Sequence, residues 1–281
     1  MDIELFEGLI DLALKEDMPA GDITSESIIP ADSVSRALFL AKEEGVLAGI
    51  DVARRVFEKI DPSVSFIKML EDGRSFGPGD ILARLEGSSI SLLKGERTAL
   101  NFMQRMSGIA TKTRTFVDAV EGTKTKILDT RKTTPGLRLL EKYAVRMGGG
   151  VNHRFSLSDM ALIKDTHLEI IGSVSEAVKR ARAGTAPGVS VEVEVTGFAG
   201  AREAMESGAD MVMLDNMPLD KMKEVVDWIG GRAPVEVSGK ITVESARKIA
   251  ALGVDFISVG ALTHSFRSID ISLEFEGRSG R

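Results

Sequence analysis

The sequence of 281 residues contains no cysteine, and it has no apolar run near the roughly 18 residues that a membrane span needs. The absence of cysteine excludes a disulfide framework, a thiolate metal site and a cysteine nucleophile, and it fits a reducing compartment. The first residues are acidic and lack the basic region of a signal peptide. Acidic residues outnumber basic ones by 42 to 36, which argues against a general nucleic-acid coat. We therefore expect a soluble cytoplasmic globular protein with no nucleic-acid or membrane partner.

Basic charge is nevertheless concentrated in one segment. Residues 124–154 carry eight basic side chains and two acidic ones, a net charge of +6 (eight minus two) in a chain of −6. Arg131 and Lys132 come three and four residues after Leu128 of the apolar pair Ile127 and Leu128, where a strand opens into a loop. Side chains converge at such a point, so the pattern favours an anion pocket over a solvated helix face. The basic residues are Lys124, Lys126, Arg131, Lys132, Arg138, Lys142, Arg146 and Arg154.

Beyond Glu96, short apolar strands alternate with helical segments, the pattern of parallel βα units. The right-handed crossover rule then leaves a barrel or a doubly wound sheet. Later strands recur about every 20–23 residues and no GxGxxG follows the first strand, so a barrel is favoured. A helix pattern from Thr98 is predicted to break at Ser107-Gly108 and to resume up to Val120. The predicted strands are 126–129, 161–164, 189–195, 210–214, 234–237 and 255–259.

Each predicted strand ends in a polar, charged or glycine residue, and in a barrel those ends gather at one face. Cations there suit carboxylate or phosphate groups, and two carboxylates suit Mg²⁺ held jointly with a substrate phosphate. Backbone N–H groups after the last strands suit a phosphate. The residues therefore predict a barrel enzyme that uses Mg²⁺ and an anionic, phosphorylated substrate. The cations are Arg131, Lys132, Lys164, His153 and Arg154; the carboxylates are Glu194 and Asp215; the phosphate residues are Ser238, Gly239 and Gly260.

Eight stretches of the sequence carry a family resemblance: 16–24, 45–53, 92–111, 128–154, 162–168, 191–195, 213–217 and 259–265. In them the sequence resembles the quinolinate phosphoribosyltransferase family. The resemblance implies an incomplete parallel α/β barrel at 105–266, with an N-terminal α+β sandwich domain at 1–104 that 267–281 joins. It also implies transfer of phosphoribosyl from phosphoribosyl pyrophosphate to quinolinate, with decarboxylation to nicotinate mononucleotide in NAD biosynthesis. A homodimer or higher homo-oligomer is implied as well.

The resemblance also implies roles for individual residues. Arg97 would reach into the site of a partner subunit. Glu194 and Asp215 would meet the ribose hydroxyls and the Mg²⁺ of the donor, and with Lys132 they are the catalytic candidates. Thr130 belongs to the same substrate-binding set. The quinolinate clamp would be Arg131, Lys132, His153, Arg154 and Lys164, and the 5′-phosphate residues would be Ser238, Gly239 and Gly260.

Two positions depart from the family pattern. Thr166 replaces an expected asparagine, and Lys240 adds a cation beside the expected phosphate loop, where we count it as substrate-binding. Four alternatives stay open: a nicotinate phosphoribosyltransferase, a paralogue associated with molybdate transport, a Schiff-base aldolase using Lys164, and a non-catalytic sensor of phosphorylated metabolites. The last is disfavoured because an anion binder gains nothing from carboxylates beside its ligand unless a metal bridges them.

Overall fold

A computed structural model describes residues 3–277, and within that range the chain divides into two compact units. The first unit comprises residues up to Arg114, the segment Thr133–Gly149 and residues from Ser265 onward. The second comprises Thr115–Lys132 and Gly150–His264. This division follows packing, so the domain bounds at 104/105 and 266/267 stay a prediction about folding units. The ends of the predicted sandwich domain, 1–2 and 278–281, lie outside the described residues.

The first unit contains an antiparallel sheet in the order β12-β1-β5-β3. Phe39 on β1 packs against Phe57 and Phe66 with ring centroids 6.1 and 6.2 Å apart, so aromatic side chains fill this core. The C-terminal strand β12 pairs with β1 along Ala37–Ala41. The strands of this unit are β1 (Val34–Ala41), β2 (Gly45–Val46), β3 (Ser65–Lys68), β4 (Ser75–Phe76), β5 (Ile81–Ser88) and β12 (Ile271–Phe275).

The helices of the first unit begin with a short 3₁₀ turn over Ile3–Phe6. Asp22 caps the second helix by accepting hydrogen bonds from the N–H groups of Thr24 and Ser25, a helix that the turn-rich sequence concealed. The helices are α1 (Glu7–Asp17), α2 (Ile23–Ile28), α3 (Ile50–Ile60), α4 (Ser89–Ala119), whose last turn enters the second unit, and α5 (Arg138–Met147).

The predicted break in α4 at Ser107-Gly108 is wrong, because the helix runs without interruption through both residues. Gly108 serves a close approach: a Cβ there would lie 2.2 Å from the carbonyl oxygen of Arg267. The Ser107 hydroxyl accepts a hydrogen bond from the N–H of Ala48 at 3.1 Å. These residues therefore accommodate neighbouring backbone, which their helix propensities alone do not reveal.

The second unit is the predicted incomplete α/β barrel. Its strands are all parallel, in the order β6-β11-β10-β9-β8-β7, with β6 and β7 at the two edges. The strand bodies are almost fully buried, as expected when helices cover a parallel sheet. The strands are β6 (Lys126–Leu128), β7 (Ala161–Ile163), β8 (Val191–Val195), β9 (Met211–Asp215), β10 (Val235–Ser238) and β11 (Phe256–Ser258).

Five helices, α6 to α10, lie between successive strands from β7 to β11, and the short α11 follows β11. Across the described residues, no helix is both long and apolar enough to cross a bilayer. The helices are α6 (Asp165–Ile171), α7 (Val174–Gly184), α8 (Phe198–Glu206), α9 (Leu219–Ile229), α10 (Val243–Ala250) and α11 (Ala261–His264).

Candidate active site

A cavity of about 550 Å³ lies at the carboxyl ends of the barrel strands. Residues from all six strands or the loops that follow them line it, which requires the sheet to curl around a common axis. Of the thirteen predicted site residues, all but Arg97 and Gly260 are among its lining residues. Those eleven are Thr130, Arg131, Lys132, His153, Arg154, Lys164, Glu194, Asp215, Ser238, Gly239 and Lys240.

The cations of the cavity come from four places: the loop after β6, the loop before β7, the start of α6 and the loop after β10. The Nε atom of Arg131 is buried without an acceptor among the described residues, so a donor is available to an anion. Arg154 donates from Nη1 to the carbonyl oxygen of Met160 at 3.0 Å. Burial lowers the pKa of Arg154, and the charge of Arg131 lowers it further. Two guanidinium groups therefore lie close enough to repel, which a bound dianion would relieve.

The basic segment 124–154 contributes three of its eight basic residues to the cavity: Arg131, Lys132 and Arg154. Lys124 instead pairs with Asp255 at 2.6 Å, and Lys126 is exposed on β6. The other three lie on α5, in the first unit. The strand-end positions, not the segment as a whole, supply the concentration of positive charge.

Two carboxylates, Glu194 and Asp215, line the cavity from neighbouring strands β8 and β9. Glu194 Oε2 lies 3.6 Å from Lys164 Nζ. Burial raises the pKa of Glu194, and the charge of Asp215 raises it further against the pull of Lys164. A divalent cation between the two carboxylates would offset this unfavourable effect on the ionised form of Glu194.

The loops after β9 and β10 contain strained backbone. Asn216 and Lys240 have φ of 51° and 47°, and they are the non-glycine residues with positive φ in the described chain. Gly239 has φ 104°, and a Cβ there would lie 2.4 Å from Asn216 Oδ1, so only glycine fits. The Asn216 N–H donates to the Ser238 carbonyl at 3.0 Å. Strain of this kind clusters at ligand-binding sites.

Gly260 and Arg97 lie elsewhere. Gly260 follows β11, and a Cβ there would come within 2.9 Å of Lys132 Cδ, so the glycine gives the lysine side chain room to pass. The Thr263 hydroxyl donates to the Lys132 carbonyl at 2.8 Å, which fixes the backbone of that loop. Arg97 lies on α4 in the first unit with 61% of its side chain exposed.

His153 forms a buried trio with Glu192 and Glu236. The sequence predicts His153 as a site residue but does not single out the two acids. The His153 Nε2 atom lies 3.2 Å from Glu192 Oε2 and 3.4 Å from Glu236 Oε2. Burial lowers the pKa of His153, but the two carboxylates outweigh it and raise that pKa to about 9. Burial raises the pKa of Glu192 to about 7. Strand alternation could have revealed both acids, because Glu192 shares a strand face with Glu194 and Glu236 shares one with Ser238.

The contacts of His153 oppose one another. Its carboxylate neighbours favour the imidazolium, whereas the Arg154 N–H approaches Nδ1 at 2.7 Å and needs a lone pair there. The two are reconciled if Nε2 carries the one proton of the ring and the second proton lies on a carboxylate, so that the second proton belongs to the trio as a whole. Both ring nitrogens of His153 thus face protein groups. The predicted quinolinate clamp would instead have this side chain face the substrate.

Comparisons with known proteins agree with this architecture. The family models for the N-terminal and C-terminal domains of quinolinate phosphoribosyl transferase match residues 22–107 and 109–274. A Bacillus subtilis protein named probable nicotinate-nucleotide pyrophosphorylase (carboxylating) is 45% identical over 259 residues, 92% of this chain and 89% of that protein. The Mycobacterium leprae nicotinate-nucleotide pyrophosphorylase (carboxylating) is 44% identical, covering 93% of this chain and 94% of its own. The crystal structure of NadC from Streptococcus pyogenes superposes with a TM-score of 0.95 at 41% identity, over 99% of each chain.

Proposed function

The chain belongs to the quinolinate phosphoribosyltransferase family, and we infer on that premise that it is the phosphoribosyltransferase that converts quinolinate for NAD biosynthesis. Quinolinate and phosphoribosyl pyrophosphate are its substrates. The pyridine nitrogen bonds to C1 of the ribose, and the C1–O bond to pyrophosphate breaks with its electron pair leaving on the pyrophosphate. The products are nicotinate mononucleotide, pyrophosphate and CO₂.

The observation that carries this function is the mixed charge of the cavity. Five basic side chains face it together with the carboxylates of Glu194 and Asp215. A site for one simple anion needs only the cations, whereas a ribose donor also presents hydroxyl groups that carboxylates can accept from. The basic residues are Arg131, Lys132, Arg154, Lys164 and Lys240.

At the acceptor end, Arg131, Arg154 and Lys164 hold the two carboxylates of quinolinate. Arg131 suits this task because its buried Nε lacks an acceptor among the described residues and a guanidinium binds a carboxylate bidentately. Once the ring nitrogen is alkylated, its positive charge stabilises the electron pair left at C2 as the adjacent carboxylate departs as CO₂. C2 then takes up a proton. Fixed cations favour the bound dianion but need not move, so their effect is positioning and electrostatics.

At the donor end, Glu194 and Asp215 hold the ribose hydroxyls and Mg²⁺. The raised pKa of Glu194, which follows from burial and from Asp215, fits a site completed by a divalent cation. When bound, Mg²⁺ supplies charge neutralisation to the pyrophosphate leaving group. Lys132, whose side chain passes Gly260, is the cation of the protein assigned to the leaving group. Ser238, Gly239 and Lys240 hold the 5′-phosphate, where the left-handed loop presents backbone N–H groups.

The assembly and location of the protein are part of the same proposal. A homodimer or larger homo-oligomer would place the exposed Arg97 of each subunit in the cavity of its partner, as an added cation for quinolinate. Loss of activity in Arg97→Ala, restored in a mixed dimer that keeps one intact cavity, would support this arrangement. We propose a cytoplasmic location.

Turnover with labelled substrate tests the proposed function. Purified protein is incubated with Mg²⁺, phosphoribosyl pyrophosphate and quinolinate labelled in the 2-carboxylate, and CO₂ and nucleotide are quantified together. We expect one CO₂ per nicotinate mononucleotide. Nucleotide formed from nicotinate alone would favour the nicotinate enzyme, and binding without turnover would favour a sensor. Borohydride trapping of a carbonyl substrate on Lys164 would favour an aldolase. Any of these three results would contradict the proposal.

A further inference from the structure

Two acids near the cavity are not used by the proposed reaction: Glu236, which lines the cavity, and Glu192, which lies against His153. Glu192 and Glu236 are both completely buried, and among the described residues none of their four oxygens accepts a regular hydrogen bond. Each lies at ion-pair distance from the same imidazole, that of His153. Buried carboxylates without hydrogen bonds are costly, so their presence under a binding site calls for a role.

The sheet explains how two separate strands reach one imidazole. Glu192 lies on β8 and Glu236 on β10, and β9 runs between them: Met211 pairs with Glu192, and Met213 pairs with Glu236. The alternation of side chains along a strand turns both acids toward the barrel interior. They therefore meet below the strand ends that carry Glu194 and Ser238.

His153 links these acids to the cationic wall. Its backbone N–H donates to Asp129 Oδ1 at 2.9 Å, which anchors the loop after α5. Its ring Nδ1 accepts the backbone N–H of Arg154 at 2.7 Å, which fixes the start of that side chain, while Nε2 lies against the acids. Glu192 also interacts with the charge of Arg154 directly, in the direction that favours the guanidinium. The position and charge of Arg154 thus depend on the trio on both sides.

We propose that Glu192 and Glu236 are positioning residues that act through His153 to hold Arg154 in the cavity wall where quinolinate binds. The proposal rests on the proposed function, because it concerns the residues that support the part of the cavity assigned to quinolinate. Removal of one negative charge loosens the imidazole and lets Arg154 move away from Arg131, whose charge repels it. The donor end is built from other residues and is unaffected.

Kinetics of isosteric variants provide the first test. Glu236→Gln keeps the volume of the side chain and removes its charge. We expect the KM for quinolinate to rise about tenfold, as for a small displacement of a positioning group, while kcat and the KM for phosphoribosyl pyrophosphate change less than twofold. Glu206→Gln, the same substitution at an exposed glutamate on α8, is the matched control and should leave kcat and both KM values at those of the parent. An unchanged quinolinate KM in Glu236→Gln, or an equal rise for both substrates, would overturn the proposal.

A double-mutant cycle tests the route through the imidazole. If Glu236 acts through His153, the effect of Glu236→Gln on the quinolinate KM disappears in a His153→Asn background. A purely structural acid would instead add its effect to that of His153→Asn. Additive effects would therefore overturn the proposal. Glu192→Gln enters the same cycle if Glu236→Gln does not fold.

A spectroscopic measurement separates this proposal from the proposed function, since it needs no turnover. The chain has three histidines, so ¹⁵N-histidine NMR resolves each ring, and His153→Asn assigns one. We expect a protonated Nε2 at neutral pH whose signal moves in Glu236→Gln but not in Glu206→Gln. A His153 ring with no proton on Nε2 would overturn the proposal even in an active enzyme. A protonated and responsive Nε2 in a protein inactive toward quinolinate would instead contradict the proposed function alone.

Discussion

Replacement of Arg131 by alanine is the sharpest perturbation of the cationic clamp. Its Nε is buried and has no acceptor among the described residues, so the guanidinium is preorganised for a ligand at no further cost in desolvation. Loss of one preorganised charged donor costs about 3 kcal/mol of transition-state stabilisation. At about 1.4 kcal/mol per factor of ten, kcat/KM for quinolinate should fall about 150-fold.

The assay measures nucleotide formation under subsaturating quinolinate with saturating donor. Arg131→Lys keeps the charge but loses the bidentate geometry, so it should recover only part of the activity. Lys126→Ala removes an exposed basic residue of the same segment and should leave kcat/KM unchanged. An Arg131→Ala enzyme within threefold of the parent would refute the assignment of this residue to the clamp.

Three further outcomes follow from the backbone and the buried trio. Gly239→Ala should raise the KM for phosphoribosyl pyrophosphate about tenfold, because alanine at φ 104° is strained and its Cβ would lie 2.4 Å from Asn216 Oδ1; an unchanged KM would contradict the tight loop. Lys240→Gly should relieve about 1 kcal/mol of left-handed strain and raise the melting temperature while the KM for the donor rises; a lower melting temperature would be contrary to this reasoning. Because the pKa of His153 is raised from 6.5 to about 9 against the effect of burial, the free energy of unfolding should fall as pH rises between those values. Calorimetric melting at pH 6 and pH 9 should show a flatter dependence in His153→Asn, and an equal slope in both proteins would exclude this contribution.

Much of the barrel could be predicted because the local sequence pattern of each strand indicates where the strand lies. Apolar bodies such as Ile127–Leu128 and polar ends such as Asp215 reflect a parallel sheet buried on both faces, with its chemistry at one edge. From the sequence alone, the pattern therefore predicts that Lys164, Glu194 and Ser238 surround one cavity. The local pattern does not predict close approaches between distant segments. Gly108 suggests a helix break, but the glycine makes room for the carbonyl of Arg267, which lies 159 positions away in the chain.

The buried acids Glu192 and Glu236 were not predicted from the sequence, for a different reason. Glu192 and Glu236 lie inside strand bodies and not at the strand ends where polar residues indicate a site, although alternation places them on the inner face. The left-handed backbone of Asn216 and Lys240 is set by the packing of two adjacent loops, and neither residue type requires it. Arg97 acquires its expected role only through an assembly, which no pattern within one chain specifies.

The preference between two pyridine acids tests the central claim most directly. The cavity is interpreted as a clamp for two adjacent carboxylates, built from Arg131, Arg154 and Lys164. In a competition assay with Mg²⁺ and phosphoribosyl pyrophosphate, kcat/KM for quinolinate should exceed that for nicotinate by at least about a hundredfold, since one charged contact contributes about 3 kcal/mol. Equal values for the two acids, or a preference for nicotinate, would contradict the account.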